Sequence, residues 1–525
     1  MKLFTIGDSI SQGFMSGAAA RTDLSYSTLI AKSLGLNPGT DPQKHDYLYP
    51  EWPMDGLPVN LEALARKLKS NIGDKIDFWD WPRFLNTVRR YIDSVEDYYE
   101  RGDGRITKPF GTASTFNNMA IQGYDVADTW LVTPKLCRQF IEKANEKEGG
   151  DEFGSLPSAF FYRTALNVLN PQRDPDTEDW TVLDWLEHHV ENEGVENVIV
   201  WLGANNALGT ITRLEVKATN DNRVLKGKVK PVREIMESDI SDYEKRRLRA
   251  ENFNLWSPQD FAWEFGEFMA RLSAIMAKNK HNNWNVFLAT VPAITIAPLA
   301  KGVGGAIYAD DPFDIINHVE VPGIDGAIES VQAKYFKHYT YFLFDADFAQ
   351  KNDCKLTFSQ VYAIDKYISS YRDTIKAIAK AYNHDQDRER YHVVDTCEAL
   401  LKAAFKRNDR GPTYEWPDEV LTKFPMIDTR FHHATSRGNL EQGGIFSMDG
   451  IHPSALGQGL IAHEFIKTMK QVLPEGEIQE EIDWDAIYKS DNLFISPISL
   501  MESIRAKAGD VGRFVMWLSK LKGRM

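Results

Sequence analysis

Two short segments at opposite ends of the 525-residue chain carry the residue types that acyl transfer from a serine requires. Gly7-Asp8-Ser9 supplies a hydroxyl, and Asp449-Gly450-Ile451-His452-Pro453 supplies a carboxylate and an imidazole. An imidazole removes the hydroxyl proton and returns it to the leaving group, while a carboxylate holds the imidazole in the required tautomer. These residue types predict Ser9 as the nucleophile, His452 as the general base and Asp449 as the orienting acid.

Each segment by itself also has an ordinary structural interpretation. Gly-Asp-Ser is a common turn and helix-cap sequence, and Asp449 could cap a helix that begins near Ser454, which would leave His452 solvated. Ser9, however, follows an apolar run that resembles a strand, and open α/β sheets bind their ligands at the carboxyl ends of strands. A helix that begins there would add N–H groups that stabilise negative charge.

Two further segments offer hydrogen-bond donors for a tetrahedral oxyanion. Asn118-Met119-Ala120-Ile121-Gln122-Gly123 ends in a glycine, whose backbone N–H can approach a ligand without hindrance from a side chain. Gly203-Ala204-Asn205 places a side-chain amide after a second apolar run. Because an oxyanion needs preorganised donors, we expect the N–H of Ser9, the N–H of Gly123 and the amide of Asn205 to form an oxyanion hole.

Four segments of the chain resemble, in the same order, the four sequence blocks of the SGNH (GDSL-type) hydrolases. They are Gly7-Asp8-Ser9, Gly123, Gly203-x-Asn205 and Asp449-x-x-His452-Pro453. The resemblance covers only these short stretches and the segment Val286–Pro292. Two positions depart from the family pattern: Ile10 stands where leucine is common, and Asn206 replaces the aspartate that usually follows Asn205.

The resemblance implies a three-layer α/β/α fold of the flavodoxin-like type and ester hydrolysis through an acyl-serine intermediate. It assigns the triad roles to Ser9, Asp449 and His452, assigns the oxyanion hole to Ser9, Gly123 and Asn205, and requires no metal and no cofactor. Substrates in the family range from lipids to acetylated sugars. Two alternatives stay open: an acyltransferase that uses the same acyl-serine, and a binding protein with a relic site.

Four apolar runs rich in β-branched residues predict the strands that carry these groups: Lys2–Ile6, Asn197–Leu202, Asn285–Thr290 and His392–Asp395. Their nearly continuous apolar character is typical of a parallel sheet covered on both faces. Amphipathic helices are expected between them, among others at Asp179–Glu191 and Ser454–Val472. Strands that alternate with long helical connections predict an α/β fold with a mainly parallel central sheet.

The connections are much longer than a minimal crossover needs. We therefore expect one hydrolase domain over residues 1–475, with large and mostly helical insertions at about 37–110, 207–283 and 293–390. Insertions on such folds collect at loop ends, where they form caps over the site. Residues 476–525 are predicted to form a C-terminal helical extension.

Composition excludes several other classes of protein. The chain has 75 acidic and 61 basic residues, a net charge of −14, which repels the phosphate backbone of nucleic acids. Cys137, Cys354 and Cys397 are far apart and odd in number, which is typical of a reducing compartment. Asp8 would interrupt the apolar core of an N-terminal secretion signal, and no apolar run reaches the roughly 18 residues of a spanning helix. We expect a cytoplasmic enzyme of unspecified oligomeric state.

Candidate sites of other kinds are weaker. The sequence contains no G-x-S-x-G elbow, phosphate-binding loop or dinucleotide fingerprint. Adjacent residues such as His188-His189 and His432-His433 rarely chelate one metal, so solvated or capping histidines are expected there. Asp310-Asp311 and Asp314 are expected to form a loop and a helix N-cap.

Two features bear on the substrate. The first insertion is rich in aromatic residues, among them Trp52, Phe78, Trp79 and Trp81. Their rings could stack on sugars or line an acyl pocket, or they could instead pack the interior of the insertion. An amphipathic, basic segment at 510–524 could lie on an anionic membrane surface or dock as a helix on its own domain or a second subunit; its apolar residues are Val511, Phe514, Val515, Leu518 and Leu521. The substrate class therefore stays open among small-molecule, polysaccharide and lipid esters.

Overall fold

A computed structural model describes residues 1–73, 81–148, 159–314, 332–342, 344–384, 387–404, 406–408, 412–423, 432–434, 440–496 and 498. In chain order, its strands are β1 (Leu3–Gly7), β2 (Phe14–Met15), β3 (Ala18–Ala19), β4 (Pro38–Gly39), β5 (Tyr47–Leu48), β6 (Asn197–Trp201), β7 (Asn285–Ala289), β8 (Ala300–Asp310), β9 (Gln332–Tyr341), β10 (Leu356–Thr357), β11 (Tyr391–Val394), β12 (His432–Ala434) and β13 (Leu440–Gly443).

The α-helices in the first half of the chain are α1 (Tyr26–Ser33), α2 (Leu61–Ile72), α3 (Trp81–Glu100), α4 (Asp128–Leu131), α5 (Pro134–Glu148), α6 (Phe160–Leu169), α7 (Val182–Asn192), α8 (Asn205–Arg213), α9 (Asn222–Leu225), α10 (Val232–Glu237), α11 (Asp242–Asn252) and α12 (Pro258–Met276). The remaining α-helices are α13 (Ala346–Lys351), α14 (Phe358–His384), α15 (Thr396–Ala403), α16 (Asp418–Lys423), α17 (Ala455–Val472), α18 (Trp484–Ser490) and α19 (Asn492–Ile495).

The fold is α/β, with a central parallel sheet of four strands in the order β1-β6-β7-β11. All residues of β1, β6 and β7 are buried, as expected for strands whose two faces are both covered. The four predicted strands are the strands of this sheet, with ends that differ by one residue. Because β1 and β6 are parallel, the residues that follow Gly7 and Trp201 meet at one edge of the sheet.

Residues 117–121 run along the outer edge of β1. The N–H of Thr5 donates to the Asn117 carbonyl over 2.8 Å, and the N–H of Met119 donates back to the Thr5 carbonyl over 3.0 Å. The N–H of Ile121 donates to the Gly7 carbonyl over 3.1 Å. This pairing brings residue 121 to the end of β1, two residues before Gly123.

Both helices predicted by periodicity are present. Helix α7 begins with a capping box, in which Thr181 and Asp184 satisfy each other's backbone N–H. Helix α17 begins after Ser454, whose side chain accepts a hydrogen bond from Gly457 N–H. Tyr26 of α1 stacks on Phe465 of α17, with ring centroids 5.0 Å apart, so α1 and α17 pack together.

The insertion at 293–390 contains a sheet that its helix-like character did not predict. Strands β10, β9 and β8 form a three-stranded antiparallel sheet, with a register shift between Val303 and Ala306. In β9, Ala333 and Tyr335 are buried and alternate with less buried residues, which is the period of a strand. Between residues 207 and 283, the chain contains α9 to α12 and most of α8.

Further expectations concern the C-terminal extension, the segment 510–524 and the aromatic residues of the first insertion. In the predicted C-terminal extension, α18 and α19 are helical, and Trp484 and Ile487 of α18 are buried. The segment 510–524 lies outside the described residues, as do Phe78 and Trp79. Trp52 is buried against Phe110 with ring centroids 4.8 Å apart, so this aromatic contributes to packing. Within the described helices, none is long and apolar enough to cross a membrane.

Candidate active site

Ser9 lies in the turn that follows β1, where the carboxyl ends of the parallel strands meet. The carboxylate of Asp8 accepts the N–H of Ile10 over 3.0 Å, so Gly-Asp-Ser forms a turn stabilised by the Asp8 side chain. Ser9 is 6% exposed and lines a small adjoining cavity.

The structure brings together the three residues predicted to form a triad. His452 Nε2 lies 2.9 Å from Ser9 Oγ, and His452 Nδ1 lies 2.7 Å from Asp449 Oδ2. Because an ionised carboxylate only accepts hydrogen bonds, the imidazole donates from Nδ1, which leaves Nε2 as an acceptor for the serine O–H. The ring of Phe14 packs against the imidazole with centroids 4.5 Å apart and restricts its position.

Asp449 is held in its ionised form by donors. Its Oδ1 atom accepts the N–H groups of Ile451 and His452 over 2.8 and 2.9 Å, and Oδ2 accepts Gly17 N–H over 2.7 Å. Burial favours the neutral acid, but His452 and the backbone donors outweigh it and lower the pKa of Asp449. The helix cap that Asp449 might have supplied comes from Ser454. Asp449 is therefore free to orient His452.

Gly123 has φ of +77°, a conformation that disfavours any residue with a side chain. A Cβ atom at this position would also come within 2.9 Å of the Phe161 ring. Among the hydrogen bonds of the described residues, none uses the N–H of Ser9 or of Gly123. Both backbone groups are therefore free to donate to a ligand.

The Asn205 amide bridges the two segments that hold these N–H groups. Its Nδ2 atom donates to the carbonyl of Tyr124 over 2.9 Å and to Asp8 Oδ2 over 3.3 Å. The contact with Asp8 is the longer of the two and therefore the weaker hydrogen bond. The geometry thus places the predicted donor between the loop after Gly123 and the turn that contains Ser9.

Asp8 is a titratable group next to Ser9 in the chain. Burial raises the pKa of Asp8 to about 6 from an ordinary value of 3.8, although Ile10 N–H and His452 act in the opposite direction. The sequence motif gave no indication that the carboxylate of Asp8 contacts Asn205. Its contact with Asn205 could not be found from spacing, because 197 residues separate the two.

A small apolar cavity of about 40 Å³ opens on Ser9 and His452. A volume of roughly 10–15 Å³ holds one water, so this cavity has room for a group of a few heavy atoms. A larger cavity of about 340 Å³ lies beyond Ser447 and includes neither Ser9 nor His452. The apolar side chains that line the small cavity include Ile10, Leu208, Ile294, Ile296, Leu400 and Phe446.

The histidine pairs show no cation site, and one expectation about them is wrong. His189 is buried beside Phe4, and its Nδ1 atom lies 2.6 Å from Glu193, so it is not solvated. His432 and His433 are consecutive residues of β12. Within the described residues, no group of three or more His, Cys, Asp or Glu side chains could hold a metal ion.

The acidic cluster also differs from its prediction. Asp310 is the last residue of β8 rather than part of a loop. The side chain of Asp311 accepts the N–H of Phe313, which makes a turn and caps no helix of the described residues. The pairing of Asp310 with Gln332 in β9 extends the strand through Asp310.

We found no match to this chain among protein-family models, curated proteins or solved structures. The case for the site therefore depends on its motifs and its geometry.

Proposed function

We propose that this protein is a serine-dependent carboxylic ester hydrolase of the SGNH (GDSL) type that acts through an acyl-serine intermediate. The observation that carries the proposal is the continuous hydrogen-bonded series from Ser9 through His452 to Asp449. The order of these atoms is the one that serine activation requires, since the base contacts both the nucleophile and the orienting acid.

In the proposed reaction, Ser9 Oγ attacks the ester carbonyl while His452 Nε2 accepts the hydroxyl proton. Asp449 stabilises the imidazolium that forms. The N–H groups of Ser9 and Gly123 and the amide of Asn205 stabilise the oxyanion, and each such donor typically contributes roughly 2.7–4 kcal/mol. His452 then protonates the leaving alcohol, and a water activated by the same imidazole releases the acid.

The proposal includes the three-layer α/β/α arrangement of that family. In β1 and β6, Phe4 pairs with Val198 and Gly7 with Trp201, so Phe4 and Trp201 lie on opposite faces of the sheet. Phe4 lies beside His189 of α7, and Trp201 lies beside Tyr26 of α1. Helices on both faces support this architecture.

The first experiment compares Ser9→Ala with the wild type on p-nitrophenyl acetate. We expect the variant to lose turnover while its melting temperature changes little, because the hydroxyl contributes chemistry and few contacts. Ser11→Ala is the matched control: its hydroxyl contacts Tyr26 and not His452, so turnover should be retained. Wild-type turnover that persists in Ser9→Ala would contradict the assignment.

The acceptor of the acyl group is tested in the same assay. Addition of candidate alcohols distinguishes a hydrolase, which releases the free acid, from an acyltransferase, which produces a new ester; the acyl-serine half-reaction is common to both. A wild-type protein that turns over no ester and retains no acyl group would favour the relic binding site.

A further inference from the structure

A buried carboxylate on an insertion helix lies behind the proposed oxyanion hole. Glu264 of α12 has no exposed surface, and its carboxylate accepts hydrogen bonds from four other residues. The donors are Asn206 Nδ2 at 3.0 Å, Ala127 N–H at 3.2 Å, Trp256 Nε1 at 2.9 Å and an Arg249 guanidinium nitrogen at 3.1 Å. Every one of these partners donates a hydrogen bond to the carboxylate, which acts only as an acceptor.

Asn206 connects this carboxylate to both segments of the oxyanion hole. Its amide nitrogen donates to Glu264, while its carbonyl oxygen accepts the N–H of Val126 over 3.2 Å. Asn206 follows Asn205 at the beginning of α8, and Val126 lies three residues after Gly123. A single amide thus fixes the distance between two of the three proposed donors.

Two arginines of α11 complete the cluster. Arg249 bridges Glu264 and Asp125, with its guanidinium 2.9 Å from the Asp125 carboxylate, and Arg246 lies 2.7 Å from Asp128. Burial raises the pKa of Glu264, and Arg249 opposes this shift. The guanidinium groups therefore compensate the charges that the fold removes from water.

We propose that Glu264 is a positioning residue for the oxyanion-binding donors Gly123 and Asn205. The inference rests on the proposed ester hydrolase activity and extends it to the insertion. The chain carries Asn206 where an aspartate is usual, and the missing carboxylate is supplied from α12, 58 residues further along. Glu264 touches no reacting atom; it acts through Asn206 and through the N–H of Ala127.

The proposal predicts a kinetic effect that a merely structural role would not produce. Donors fixed for the transition state contribute to kcat, whereas loss of fold stability lowers the melting temperature and leaves the kcat of the folded fraction unchanged. Binding of phenylboronic acid is a second readout, because its tetrahedral adduct on Ser9 presents an oxygen to the same donors.

The test is the variant Glu264→Gln. Its amide nitrogen replaces a carboxylate oxygen and faces groups that donate hydrogen bonds to that oxygen in the wild type. We expect kcat for p-nitrophenyl acetate to fall about 10- to 100-fold, with KM within about twofold of wild type. The Ki of phenylboronic acid should rise with the loss of kcat. Glu178→Gln is the matched control, since Glu178 also accepts from an arginine (Arg138) and an asparagine (Asn170).

The exchange variant Asn206→Asp/Glu264→Gln provides the rescue. It moves the carboxylate to position 206 and the amide to 264, so the number of buried charges is unchanged. We expect its kcat to exceed that of either single variant, because the hydrogen bond between the two side chains is restored with reversed polarity. If Glu264→Gln does not fold, the exchange variant by itself tests the proposal. An exchange variant that folds but is inactive overturns the proposal.

The outcomes separate this inference from the function on which it rests. A wild type with Ser9-dependent turnover and a folded Glu264→Gln variant of wild-type kcat overturns only the role of Glu264. Loss of kcat that the exchange does not relieve, or that Glu178→Gln reproduces, overturns it as well. A wild type without Ser9-dependent turnover overturns the proposed function and this inference together.

Discussion

The backbone N–H of Gly17 donates a 2.7 Å hydrogen bond to the carboxylate of Asp449, although 432 residues separate the two. The oxygen that accepts it is the one that also accepts His452 Nδ1. The segment that contains Ser9 therefore also holds the carboxylate of Asp449, and the two ends of the chain meet at the candidate site.

Replacement of the acid by its amide tests this arrangement. In Asp449→Asn the amide can donate to His452 and favour the wrong tautomer, so we expect kcat to fall about 10³- to 10⁴-fold. Initial rates with p-nitrophenyl acetate measure the effect, and circular dichroism checks the fold. Asp483→Asn, at the cap of α18, should leave the rate unchanged. A loss below tenfold in Asp449→Asn would argue against its role.

Gly123→Ala should impair catalysis beyond the backbone strain that it introduces. The added Cβ meets the Phe161 ring at 2.9 Å, so the ring or the loop must shift, and a shift of the loop displaces the Gly123 N–H. We expect kcat to fall by about 10²-fold. Gly111→Ala is the matched control, because its φ of +72° imposes similar strain with no atom within 4 Å of the new Cβ. Equal losses of kcat in both variants would refute the assignment of Gly123.

The small cavity predicts a preference for short acyl groups. A volume of about 40 Å³ accepts an acetyl group more readily than a butyryl group. Leu208→Ala removes part of the wall, and we expect the ratio of kcat/KM for butyrate to that for acetate to rise about tenfold. Leu225→Ala, at a side chain that is 74% exposed, should not change the ratio. An unchanged ratio in Leu208→Ala would place the acyl group elsewhere.

The raised pKa of Asp8, about 6, makes a prediction about stability and pH. Between its ordinary value of 3.8 and about 6, folded Asp8 binds a proton that the unfolded chain releases, so this group's stabilisation is lost as pH rises. A tenfold difference in proton affinity corresponds to about 1.4 kcal/mol, so the loss across this pH window reaches about 3 kcal/mol. Asp8→Asn cannot titrate and should lack this dependence.

Urea unfolding at pH 4, 5, 6 and 7 measures that difference. The unfolding free energy of Asp8→Asn, relative to wild type, should increase from pH 4 to pH 7. Titration of other buried acids such as Asp491, whose pKa burial also raises to about 6, cancels in this comparison. Parallel pH profiles for the two proteins would show that Asp8 does not titrate in this range.

The local sequence pattern was sufficient to predict the four strands of the central sheet and much of the candidate site. Ser9 and Asn205 each follow a continuous apolar run, and parallel strands bring their carboxyl ends to one edge, so their proximity follows from the strand prediction. The spacing of Asp449 and His452 matches their hydrogen bond because a three-residue offset on a turn brings the two side chains together.

The local sequence pattern could not predict contacts between segments that are far apart in the chain. The contacts of Glu264 with Asn206 and Ala127 join segments 58 and 137 residues apart, and no periodicity encodes them. One signal was present: Glu264 falls on the apolar face of α12 with Phe261 and Phe268, where a charge requires a buried partner. The strand β8 was missed because its glycines weaken the alternating pattern.

Covalent labelling of the nucleophile tests the central claim most directly. A fluorophosphonate forms a bond from a serine oxygen to phosphorus with loss of fluoride, and peptide mass spectrometry locates the adduct. We predict one adduct, on Ser9, with labelling that slows by orders of magnitude in His452→Ala and disappears in Ser9→Ala. An ester-hydrolysing protein that carries the adduct on another residue, or carries none, would contradict the account.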